Sequence, residues 1–126
     1  MDWQNRGAPG RVAMVIGRCP ARTRSVVEVL AGLCPIWRPA SEADLSDAVV
    51  EPQLACVVFA DDLNDESAAH CLIRLRQVLP VLPVFVVIDA NDVADAVQAM
   101  RLGATAAIEL PPCAALLREY VVHALR

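Results

Sequence analysis

Apolar residues fall into two kinds of run along this chain. Arg11–Gly17 (RVAMVIG), Leu54–Ala60 (LACVVFA), Pro83–Ile88 (PVFVVI) and Thr105–Leu110 (TAAIEL) are short and nearly unbroken. They lack the alternation of a sheet with one wet face, which predicts strands covered on both faces. Cys34–Arg38 (CPIWR) is a weaker strand, and Pro35 assigns it to an edge. Between these runs the apolar period lengthens to that of a helix. Pro20 opens a first helix with Val26, Val27, Val29, Leu30 and Leu33 on one side. Ser41 is an N-cap with Asp44 three residues on, for a helix closed by Pro52. Glu66–Val78 follows, with Ala69, Leu72, Ile73, Leu75 and Val78 on its apolar side. Asn91 or Asp92 caps a helix through Leu102, which Gly103 stops. Pro112 starts a last one, marked by Ala115, Leu116, Tyr120, Val121 and Leu125.

Strand and helix thus alternate five times, joined by loops of a few residues. Such alternation implies parallel strands with right-handed helical crossovers, a three-layer α/β sandwich. The expected strand order is the flavodoxin-like 2-1-3-4-5, with Cys34–Arg38 at one edge. Residues 11–126 read as one domain and 1–10 as a flexible arm without a signal-peptide core.

Composition narrows the function classes. At 126 residues, 56% apolar and mean hydropathy +0.44, the chain can bury a real core. No apolar run is long enough for a membrane span, because Pro80 and Pro83 interrupt the richest stretch. Net charge −4 and pI about 5.0 supply no basic stripe for direct nucleic-acid binding. The five cysteines, Cys19, Cys34, Cys56, Cys71 and Cys113, match no metal or disulfide spacing and read as reduced, buried thiols in a cytoplasmic protein.

Candidate chemistry is sparse. Asp61 and Asp62 follow the third strand and Asp89 ends the fourth, so all three belong to one rim of the sheet. They are either a small reactive or cation-binding group or plain solvated loop carboxylates. His70 and His123 have no second ligand at helical spacing, and Cys71 does not share a helix face with His70. Gly17-Arg18-Cys19-Pro20 is no dinucleotide fingerprint, and no serine sits in a nucleophile elbow. Neither a metal nor a cofactor is called for. Trp3 and Trp37 are either partly exposed contact residues or packed indoles that cover an edge.

Two stretches carry a family resemblance. Leu82–Val87 followed by Ala96–Ala104 (AVQAMRLGA) resembles the fourth strand, fourth helix and Gly-Ala turn of the response-regulator receiver (CheY-like) family. Ile73-Arg74-Leu75-Arg76 resembles the end of that family's third helix, and counting back from it without a gap reaches the phosphoacceptor position at Ala60. The likeness extends over residues 11–126.

What the resemblance implies can be put chemically. A receiver holds Mg²⁺ with two acids after its first strand and with its acceptor aspartate, so that the metal neutralises the incoming phosphoryl oxygens. A hydroxyl, an aromatic and a lysine complete the site. In this chain the acids fall on Ile16 and Gly17, the acceptor on Ala60, the hydroxyl on Ile88, the aromatic on Ala107 and the lysine on Leu110. All are replaced, mostly by apolar residues. The resemblance therefore implies a degenerate, non-phosphorylatable pseudo-receiver, not an enzyme, that signals through a protein partner or a homodimer. The implied interface is the family's surface of fourth helix, fifth strand and fifth helix, with Gln98, Arg101, Leu102, Glu119, Tyr120 and His123 as candidates. The implied setting is the N-terminal regulatory domain of a larger protein, a transcription activator or a pilus-assembly ATPase. Two alternatives stand beside this: a displaced phosphoacceptor at Asp61 or Asp62, and a small-molecule sensor at the rim near Gly17, Asp61 and Asp89.

Overall fold

The computed structural model describes residues 11–39 and 53–126. The arm 1–10 with Trp3, and the helix expected between Ser41 and Pro52, lie outside the described residues. In chain order the elements are β1 (Val12–Ile16), α1 (Pro20–Leu30), β2 (Ile36–Trp37), β3 (Leu54–Phe59), α2 (Glu66–Val78), β4 (Val84–Asp89), α3 (Val93–Arg101), β5 (Ala106–Leu110) and α4 (Ala114–Leu125). The strands form one parallel sheet in the order β2-β1-β3-β4-β5, so the expected fold class and order hold.

The sheet divides its side chains between two cores. Met14, Val57, Phe59, Val84 and Val86 pack under α2 and α3 with Ala68, Leu72, Leu75 and Ala99. Ala13, Val15, Cys56, Val58, Phe85 and Val87 pack under α1 and α4 with Val26, Leu30, Leu117 and Val121. Every residue of β3 is buried, which is why its run shows no polar alternation. Each large side chain so enclosed contributes about 1.5–3 kcal/mol relative to exposure.

The helices match the expected elements but not always their phase. α1 buries Thr23, Val26 and Leu30 while Val29 is half-buried. The Thr23 hydroxyl is satisfied by donating to the Cys19 and Pro20 carbonyls at 3.0 and 3.1 Å. α2 buries Ala68, Leu72 and Leu75, leaving Ile73 exposed, and α4 buries Leu117 and leaves Ala115 and Leu116 exposed. Asp92, not Asn91, caps α3 by accepting from the Asp95 amide at 3.0 Å, while Asn91 takes a left-handed φ of 65°. Gly103 ends the helix at φ 104°, where a side chain would be strained.

Of the two readings of Trp37, the packed indole holds: it is buried on the edge strand. Two further expectations are corrected. Of the five cysteines only Cys56 is buried, and the others are half-buried. The last helix begins at Ala114 instead of Pro112.

The end of the sheet where the strands begin is tied together by Arg76 of α2. Its guanidinium donates to the carbonyls of Gly103 at 2.8 Å and Leu82 at 2.6 Å, with longer bonds to Leu79 and Pro80. Thr105 accepts from Arg76 at 3.3 Å and from the Val84 amide at 3.0 Å.

Candidate functional site at the C-terminal rim of the sheet

β1, β3 and β4 end side by side because parallel pairing aligns Ile16 with Phe59, and Phe59 with Val86. The Ala60 amide then donates to the Ile16 carbonyl at 2.7 Å, which draws the ends of β1 and β3 together. Gly17 sits in this closure. A Cβ at Gly17 would lie 2.5 Å from the Ala60 oxygen and 3.0 Å from the Thr23 methyl. The position tolerates no side chain without moving backbone, so glycine is a steric requirement there.

Ala60 is fully enclosed at 0% exposure, with Ile88 at 2% and Leu110 at 8%. Five of the six positions divide between the two cores of the sheet. Ile16, Ile88 and Ala107 belong to the core under α2 and α3, whereas Ala60 and Leu110 belong to the core under α1 and α4. Ala107 also lies deeper, opposite Val86, while Leu110 pairs with Asp89 at the rim itself. The Leu110–Pro111 peptide is cis.

Above this apolar floor the polar groups are paired with one another. Arg22 of α1 is the centre. Its Nη1 donates to the Asp61 carbonyl at 3.1 Å and its Nη2 to Asp89 Oδ2 at 2.9 Å, so one guanidinium bridges the ends of β3 and β4. Burial opposes the Arg22 charge, but the hydrogen bond and charge of Asp89, with Asp62 and Asp95 behind it, outweigh that and raise its pKa above the ordinary value. Arg18 pairs with Asp61 at 3.5 Å and with Asp65 at 3.3 Å. Asp61 and Asp62 also serve their own loop, accepting from the Asp62 and Asn64 amides at 3.1 and 2.9 Å. Asp65 caps α2 through the Ser67 amide at 2.9 Å.

Asp95, on the first turn of α3, is the exception. It is buried, and its Oδ2 has no hydrogen-bond partner among the described residues. Burial, then the charges of Asp92 and Asp62, push its carboxyl pKa up, with Arg22 opposing.

The rim thus offers no nucleophile at Ala60, no hydroxyl at Ile88 and no cation at Leu110. Among the described residues no three His, Cys, Asp or Glu side chains are arranged to hold a metal ion. The Cys56 thiol is pushed up to about 12 by burial, and burial also raises Cys34, so neither is a ready thiolate. His70 and His123 are both exposed on their helices.

Among the sequence-derived interface residues, Arg101, Glu119, Tyr120 and His123 are exposed, while Gln98 is half-buried and Leu102 packs partly against the core. The Tyr120 ring rests on Phe85 of β4, centroids 5.3 Å apart. Reasoning from sequence missed two groups. Arg22 was hidden because its partner is 67 positions away. Val93, Val97 and Met100, spaced four and three residues apart on α3, are exposed, and their i, i+4, i+7 spacing was the available signal.

No protein-family model matches this sequence, and no curated protein matches it. Solved structures do. A CheY-like protein (tadZ) from Pseudomonas aeruginosa PAO1 aligns with TM-score 0.74 at 19% identity, covering 90% of this chain and 98% of that one. The N-terminal signal receiver domain of a two-component response regulator from Bacteroides fragilis aligns with TM-score 0.70 at 20% identity, covering 92% and 98%. The N-terminal domain of the nisin resistance regulator NsrR, a lantibiotic response regulator, aligns with TM-score 0.68 at 17% identity, again covering 92% and 98%. Among the described residues no helix is long and apolar enough to cross a membrane. With the strand order, the two cores and these structures in agreement, the chain has the fold of the CheY-like response-regulator receiver domains.

Proposed function

We propose that this chain is a receiver-fold signalling domain that accepts no phosphoryl group and works by protein contact. One observation carries the reading. The acceptor position is a fully buried alanine, closed by the Gly17 backbone and overlaid by the Arg22 bridge. At this position a phosphoryl donor meets a methyl group and no nucleophile, and the acids beside it already face a guanidinium. Incubation with acetyl phosphate and Mg²⁺, followed by intact-mass measurement, is expected to leave the mass unchanged. A phosphoryl adduct on Asp61 or Asp62 would establish the displaced acceptor instead. Against that outcome stand the engagement of Asp61 by Arg18 and the use of both side chains as acceptors within their own loop.

The contact surface in this reading spans α3, β5 and α4. Val97, Met100 and Tyr120 are exposed there beside Arg101, Glu119 and His123. Contact is with a protein partner or a second copy of the chain, in the setting of a larger regulatory protein. Sedimentation of the chain and of its Val97→Glu/Met100→Glu variant tests self-association. Loss of a concentration-dependent dimer in the variant is the expected result, and a monomer throughout removes the homodimer and leaves the partner. The free thiols Cys19, Cys34, Cys56 and Cys113 support a reducing, cytoplasmic setting.

A further inference from the structure

On the outer side of α1, away from the Arg22 bridge, lies an open cleft of about 370 Å³. Three of its lining residues are arginines: Arg18 from the loop after β1, Arg24 from α1 and Arg38 from the end of β2. One acid, Glu28, lines it too. Its floor is Pro20, Val27 and the buried Thr23, whose hydroxyl is already committed to the first turn of α1.

The charge balance here is unusual for this molecule. The whole chain carries −4, yet among the described residues the cleft lining has three arginines against one acid. Charges beyond about 8 Å are screened at physiological ionic strength, so the local excess governs what approaches. Arg18 spends its charge on Asp61 and Asp65. Arg24 and Arg38 have no acidic partner among the described residues, and Glu28 forms no ion pair with either. Arg24 and Arg38 thus bring two guanidinium forks to one cleft, one from a helix and one from a strand end, and such forks suit an oxyanion, which each can grip with parallel N–H donors. The first turn of α1 has no acidic side chain and no side-chain cap at Cys19, so among the described residues Glu28 is the one acid of the lining. A cleft of this volume is in the range of sites for small molecules.

We propose that this cleft binds a small polyanion, a phosphate ester or a polycarboxylate, held chiefly by Arg24 and Arg38. The cleft borders the rim through Gly17 and Arg18, but neither Asp61 nor Asp89 lines it.

Calorimetric titration and thermal melts of the full chain in low salt test this with pyrophosphate, citrate and ATP as probes. Measurable heat with pyrophosphate or citrate is expected, together with a rise of a few degrees in Tm at saturation. Arg24→Gln/Arg38→Gln is expected to keep the ligand-free melt, both side chains being exposed, and to weaken binding about tenfold or more. Tighter pyrophosphate than citrate assigns a phosphate ester, and the reverse a polycarboxylate. Tighter ATP than pyrophosphate shows that Pro20 and Val27 hold an apolar body. Silence with all three probes at about 10 mM, or binding that the double variant retains in full, would overturn the proposal.

Discussion

Both ends of this sheet are fastened by an arginine, and the two fastenings differ in kind. Arg76 ties the end where the strands begin by donating only to neutral acceptors, the carbonyls of Leu79, Pro80, Leu82 and Gly103 and the Thr105 hydroxyl. It satisfies loop backbone that would otherwise be stranded, a purely structural task. Arg22 ties the opposite end by joining one carbonyl to a carboxylate, in a setting where Asp62, Asp89 and Asp95 all act on its charge. One end is thus held by neutral bonds and the other by a cation set among acids.

Opening the rim by force is the most severe way to break this comparison. Gly17→Ala places a methyl carbon against the Ala60 carbonyl at 2.5 Å, with backbone on one side and buried Thr23 on the other. Neither neighbour is a flexible side-chain tip, so the ends of β1 and β3 must part. A loss of about 3 kcal/mol is expected, at the upper end of overpacking costs, read as a lower denaturant midpoint at unchanged m-value.

The two arginines should then separate in a double test. Arg76→Met strands several carbonyls and is expected to cost about 2–3 kcal/mol, with no response to divalent cations. Arg22→Met loses one carbonyl bond and an ion pair whose acid is largely exposed, so about 1–2 kcal/mol is expected. Unlike Arg76→Met, it leaves Asp62, Asp89 and Asp95 without their cation, and millimolar Mg²⁺ should recover part of its Tm. Equal indifference of both variants to Mg²⁺ would show that Arg22 is as purely structural as Arg76.

The sheet was legible in the sequence and the fastenings were not. The runs Leu54–Ala60 and Pro83–Ile88 announce two-sided burial directly, and Pro20, Asp92 and Gly103 mark helix ends through local chemistry. Helix phase was harder. In α2 both Ile73 and Ala68 fit a helical period, and only the position of the sheet decides that Ala68 is covered and Ile73 is not. For Trp37 the edge strand left both a packed and a partly exposed indole open, and tertiary packing buries it. For the rim, the positions of Gly17, Ala60, Ile88 and Leu110 could be counted along the chain. The tightness around Gly17 could not, since it depends on the Ala60 carbonyl 43 positions later, nor could Arg22, whose carboxylate partner stands on another strand.

Asp95 gives the finest probe of the charged end. Its buried Oδ2 has no donor among the described residues, and its carboxyl is raised by burial and by Asp92 and Asp62. A carboxyl whose folded pKa exceeds its unfolded value favours the folded state when protonated. Its contribution to stability is therefore present at low pH and is lost as pH rises through the folded pKa. Removing the charge should help at neutral pH. Asp95→Asn is expected to stabilise by about 0.5–1 kcal/mol at pH 7, the relief of a buried unpaired charge less the favourable position of an acid near a helix N-terminus. The gain should shrink as pH falls toward the ordinary carboxylate range, where wild-type Asp95 is itself neutral. In the Arg22→Met background the benefit should grow, because the guanidinium that partly offsets Asp95 is gone. Thermal melts of the two single variants and the double variant across pH 4–8 measure that coupling. Strict additivity at every pH would mean that Asp95 and Arg22 do not share one charged site, and that this end of the sheet is held, like the other, by separate local bonds.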